Sequence, residues 1–84
     1  MIARSTVTFD EVRQLLLDLG FTQSKQGKFW FFEHKPSGTV LGYRPYRARE
    51  KVTLMDLHMT RKHLDWRGVL SEDAFEERFK KATA

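Results

Sequence analysis

The chain has no cysteine among its 84 residues, which excludes a disulfide framework and any thiolate metal site. It also lacks an apolar run near the roughly 18 residues of a membrane helix and a signal-like hydrophobic segment, so a cytoplasmic protein with no membrane partner is expected. A glycine-rich phosphate loop, a serine elbow and a paired-carboxylate site are missing too. His58 and His63 stand five apart on a predicted helix, more than a quarter turn from one another. No acid occupies the spacing of a helical zinc motif, and neither a metal nor a cofactor is expected.

A chain of this length buries only about 60 to 65% of its unfolded surface, enough for one modest core. The expected organisation is a single domain over residues 6–80, with flexible tails at 1–5 and 81–84. Fifteen basic residues face eleven acids. Only Arg4, Arg13, Arg78, Lys80 and Lys81 lie outside the stretch from Lys25 to Arg67, leaving ten basic side chains there against Glu33, Glu50, Asp56 and Asp65. That segregation points to a polyanionic partner, with a solvated, solubilising surface as the equal alternative.

Thr8-Phe9-Asp10-Glu11 has capping-box spacing, and Val12, Leu15, Leu16 and Leu19 follow helical period up to Gly20. Phe21 to Ser24 reads as a short strand, Lys25-Gln26-Gly27 as a hairpin turn and Lys28 to His34 as a second strand. After the turn Lys35-Pro36-Ser37-Gly38, residues Thr39 to Tyr43 form a third strand, ended by Pro45. Arg44 to Lys51 is predicted to be an exposed basic loop. Thr53 caps a second helix to about Arg67, although Val52 to Leu57 also suits a strand, and Ser71 caps a third helix carrying Phe75 and Phe79. The fold class is therefore α+β: helix, three-stranded antiparallel meander, two helices, with helices on one face of the sheet. Phe75 and Phe79 are expected to pack on the Met55, Met59 and Trp66 stripe.

Phe29-Trp30-Phe31-Phe32 places four consecutive rings on one strand, and alternation sends apolar surface out of both faces of the sheet. Trp30 and Phe32 are expected to face the first helix, and Phe29 and Phe31 to point away. Three covers are possible for that pair: the third helix, another protein or a second copy, or nucleic-acid bases.

The string from Phe9 through the Gly27 hairpin to His34-Lys35-Pro36 resembles the HicA family of messenger-RNA-cleaving toxins, which share the double-stranded-RNA-binding-domain fold. The likeness covers about Thr8 to Leu64. It implies a ribonuclease whose catalytic histidine stands two residues after the hairpin glycine, where this chain has Phe29. His34 matches the family's other recurrent histidine, at the far end of the strand on the opposite pleat. A phenylalanine cannot take a proton from a 2′-hydroxyl, so no catalytic residue is expected. The reading is an RNA-binding domain without turnover, using Lys28, Lys35, Arg44, Arg47, Arg49, Lys51, Arg61 and Lys62 for phosphates. The alternatives are a protein-interaction module, homodimeric or bound to an antitoxin-like partner through Phe29 and Phe31, and a residual nuclease using His34 or His58.

Overall fold

Thr8 is the point from which the first helix grows. Its hydroxyl accepts from the Glu11 N–H while the Glu11 carboxylate accepts from the Thr8 N–H, satisfying two amide donors that a helix start otherwise leaves open. The computed structural model describes residues 4–79, arranged as β1 (Arg4–Thr8), α1 (Phe9–Asp18), β2 (Thr22–Gln26), β3 (Phe29–His34), β4 (Thr39–Tyr43), β5 (Lys51–Thr53), α2 (Leu54–Trp66) and α3 (Glu72–Arg78). The fold is α+β, as the sequence predicts. A three-stranded antiparallel sheet runs in the order β2-β3-β4, and β1 and β5 form a second, two-stranded sheet.

That second sheet has no counterpart in the predicted element order. Strand β1 begins at Arg4, inside the segment expected to be a tail, and pairs Arg4 with Thr53 and Thr8 with Lys51. The polar look of Ser5 and Thr6 hides the reason: Ser5 is buried and its hydroxyl donates to the Val52 carbonyl at 2.9 Å, beside fully buried Val7 and Val52. A satisfied hydroxyl removes the cost of burying it. Residues 1–3 and 80–84 lie outside the described residues, so the rest of the expected tails falls there.

In the larger sheet Gln26 pairs with Phe29, leaving Gly27-Lys28 as a two-residue loop, two positions later than the predicted turn. Gly27 takes φ 62°, the positive value such a hairpin asks of its first loop residue. One sheet face is covered by α1 and α2. Phe9, Val12, Leu15 and Leu16 of α1 are buried, and the Phe9 ring lies 5.6 Å from Trp30, 6.2 Å from Phe32 and 5.8 Å from Tyr43. Thr60 on α2 meets the buried Tyr43 hydroxyl at 2.5 Å. Burial pushes that phenol well above its usual range, so it stays a neutral donor or acceptor.

The buried side of α2 is Thr60 and Leu64, continued by half-buried Asp56 and Leu57. Met55 and Trp66 lie about 150° around the helix from it at 3.6 residues per turn, and they are 78% and 74% exposed. The expected packing of α3 on Met55 and Trp66 is thus corrected, while Met59 of the same stripe is half-buried against the core. Phe75 and Phe79, buried and edge-on at 4.9 Å, instead sit on the Leu54, Leu57 and Arg61 side, across a groove of about 440 Å³. The reason is electrostatic as well as apolar: Arg61 reaches Glu76 at 2.8 Å and Lys62 reaches Glu72 at 2.9 Å, while Arg78 ties α3 to Asp18 of α1 at 2.7 Å.

The loop from Arg44 to Glu50 departs most from expectation, because its aromatic is core. Tyr46 is buried and stacked on Phe9 at 5.4 Å. Its hydroxyl donates to Asp56 and accepts the buried Thr53 N–H at 3.0 Å, and its carbonyl accepts the Trp30 indole N–H at 3.3 Å. Tyr46→Phe strands the Thr53 N–H and leaves the Asp56 carboxylate with Arg44 but without its phenol donor, so a loss of about 1 to 3 kcal/mol is expected in urea unfolding. An unchanged midpoint would show that the hydroxyl holds nothing.

Candidate nucleic-acid interface

Register fixes what lies on the second face of the larger sheet. Phe31 sits opposite Ser24 and Gly42, and Glu33 opposite Thr22 and Val40; Phe29 shares their pleat. Among the described residues no helix lies on this face, and Phe29 and Val40 are 55% and 58% exposed. The third helix therefore does not provide the cover considered for Phe29 and Phe31. Phe31 is half-buried for a local reason: its ring edge leans over Gly42, where an added Cβ would stand 3.2 Å from the ring. The glycine gives the ring its resting place, a device that also protects the bare backbone of a strand.

The basic residues divide into three groups. Trp30 pairs with Tyr43 at the end of the β3–β4 ladder, so the chain leaves the sheet at Arg44 beside Phe29 and the Gly27-Lys28 loop. Lys28, Arg44, Arg47, Arg49 and Lys51 are exposed and follow from that end. Arg44 also approaches Asp56 at 3.5 Å. The loop is held against the start of α1 by the Phe9 and Asp10 N–H groups, which donate to the Glu50 and Ala48 carbonyls at 2.8 and 2.9 Å. Its backbone is thereby ordered while Arg47 and Arg49 point to solvent, flanking a shallow depression with Glu50.

Lys35 stands at the other end of β3, seven residues and about 23 Å of strand away from Lys28. Arg61 and Lys62 form the third group, engaged with Glu72 and Glu76 of α3. The structure thus brings together only part of the predicted phosphate-binding set. Lys25, not in that set, lies over the Trp30 ring at 4.8 Å.

Each histidine is occupied elsewhere. His34 Nδ1 and the Ser37 hydroxyl are 2.7 Å apart, Ser37 is 2.7 Å from the Thr39 hydroxyl, and the His34 ring lies 5.0 Å from Phe21. This chain of bonds locks the turn in which Gly38 donates to the His34 carbonyl, on the pleat opposite Phe29. His58 accepts from Arg61 at 2.7 Å, and His63 sits edge-on to Trp66. Gly27, the other residue matched to the family pattern, has nothing within 4 Å of its side-chain position.

Sequence reasoning missed Gly42, Val40 and Glu33 as parts of the face. Alternation counted across all three strands, rather than along β3 alone, carries that signal. Among the described residues, no three His, Asp or Glu side chains gather as a metal site, and no helix is long and apolar enough to cross a membrane. No family model matches the chain, and no curated protein or solved structure matches it.

The ion pairs of α3 carry a pH dependence. The Lys62 hydrogen bond holds Glu72, and the Arg78 hydrogen bond holds Asp18, below their ordinary values of 4.5 and 3.8. A carboxyl with a lowered folded-state pKa contributes stability above its unfolded pKa, and that contribution is lost as pH falls through the folded value. In an acid titration the ring resonances of Phe75 and Phe79 should begin to shift below about pH 4.5, before those of Phe32. Simultaneous loss of all three would contradict this order.

Proposed function

We propose that this chain is a cytoplasmic RNA-binding domain that binds without cleaving, a HicA-like frame lacking its catalytic histidine. The observation that carries the reading is the uncovered sheet face, where exposed Phe29 and half-buried Phe31 share a pleat at the end from which the basic loop departs. Aromatic rings stack bases at roughly 1 to 3 kcal/mol each, and arginine and lysine beside them neutralise phosphates. Neither group alone is informative; the reading joins them because the chain leaves the sheet at Arg44, one step past the Trp30–Tyr43 pair and so at the Phe29 end of β3.

Lack of turnover follows from the residue at the hairpin. Phe29 has no ionisable atom, and its strand carries His34 on the opposite pleat at the other end, with its Nδ1 engaged by Ser37. General-base catalysis at a 2′-hydroxyl needs a group within hydrogen-bond reach of that proton.

A second reading has its own support: Phe29 and Val40 are large apolar groups exposed on one face, a surface that also suits a second copy or an antitoxin-like protein. The two readings differ in their response to salt. For single-stranded RNA held by Lys28, Arg44, Arg47 and Arg49, log affinity should fall against log salt with a slope of about −2.8. Fluorescence anisotropy measures it, with the RNA recovered intact. Changing Arg47 and Arg49 together to glutamine should flatten the slope to about −1.4, whereas Arg61→Gln should leave it unchanged. No binding at low salt, together with a concentration-dependent dimer in light scattering that Phe31→Asp abolishes, would replace RNA by protein as the partner.

A further inference from the structure

Glu33 is an anomaly on a surface meant for a polyanion. It is exposed on the same pleat as Phe29 and Phe31, between Thr22 and Val40. Among the described residues no hydrogen bond or ion pair engages its carboxylate. A carboxylate repels phosphate, so a strand crossing this face cannot run its backbone over Glu33. Anchored by its phosphates at the end with Lys28 and Arg44, the strand runs along β3 with its bases, and not its backbone, turned toward Glu33.

Resting on the RNA reading above, we infer that Glu33 is a base-selecting residue, and that the ligand is single-stranded RNA presenting guanine to it. Residues two apart on a strand are separated by about 6.6 to 6.8 Å. This is twice the 3.4 Å rise of stacked bases in a duplex, so bases meeting Phe29 and Phe31 have to be splayed apart. A paired, stacked helix cannot do this, and a single strand can.

The base beyond Phe31 then lies against Glu33. A carboxylate is acceptor-only and has two oxygens side by side. Guanine is the base whose pairing edge offers two adjacent donors, N1–H and N2–H, matching both oxygens at once. Cytosine and adenine present one amino group beside a ring nitrogen acceptor, and uracil presents a single N–H flanked by carbonyls that repel the carboxylate. A bidentate pair of this kind discriminates by roughly five- to 150-fold. Selection is thus a matter of both attraction and repulsion, with uracil penalised most.

The test uses the full chain and three labelled RNAs: a uridine hexamer, the same hexamer with two adjacent central guanosines, and the latter annealed to its complement. Anisotropy at low salt should rank the guanosine hexamer about tenfold tighter than the uridine hexamer, with the duplex weakest. Glu33→Gln, a surface change that keeps the fold, should reduce the guanosine preference to under threefold, mainly by tightening uridine binding. Equal affinities for both hexamers, a tighter duplex, or a preference retained by Glu33→Gln would overturn the inference while leaving RNA binding in place. Failure of every RNA to bind would remove the RNA reading and this inference with it.

Discussion

Phe32 is fully buried and has ladder partners on both sides, Gln23 in β2 and Leu41 in β4. With its ring in the core, the alternation of the strand leaves Phe29 and Phe31 no choice of face. A slip of one residue would bury those two and expose Trp30 and Phe32. The slip is opposed by the Phe9 ring packed against Trp30 and Phe32 and by the Trp30 indole bonded to the Tyr46 carbonyl. The exposed aromatic face is therefore a consequence of how the other face is packed.

Tyr46 links that constraint to the basic loop. Stacked on Phe9 and bonded to Thr53 and Asp56, it joins the start of α1, β5 and the first turn of α2. The arginines around it sit on a backbone that is fastened to the core, which reduces the ordering cost of holding a ligand. On the far side, α3 brings acids against Arg61 and Lys62, while Lys28, Arg47 and Arg49 stay exposed in the hairpin after β2 and the loop after β4. Exposed pairs of this kind add little to stability; their effect is on where the surface potential is positive.

Much of this was legible in the sequence. The capping box at Thr8, the leucine face of α1 and the inward and outward alternation of β3 are local patterns whose physics needs no tertiary information. The β1–β5 pairing was not legible, because a three-residue strand has too short a period to read and Ser5 is buried only by virtue of its bond to Val52. The packing face of α2 is only partly legible for a related reason: it is built from Thr60, Leu64, half-buried Leu57 and the Asp56 that Tyr46 satisfies, and of the Met55, Met59 and Trp66 stripe only Met59 is half-buried. Tyr46 looked like a loop residue among arginines, and only the three-dimensional meeting of Phe9, Thr53 and Asp56 makes it core. For the interface, Phe29 and Phe31 were readable from β3 alone, whereas Gly42, Val40 and Glu33 needed the register of three strands.

The central claim is that ligand meets the open sheet face and not the helices. Backbone amide spectra recorded while single-stranded RNA is added test it most directly. The account predicts shifts and broadening at Phe29, Phe31, Val40, Gly42 and the Arg44 to Arg49 loop, with α3 and the outer side of α2 unmoved. Perturbations gathered at Leu54, Arg61 and Phe79, or at Met55 and Trp66, with the sheet face silent, would contradict it.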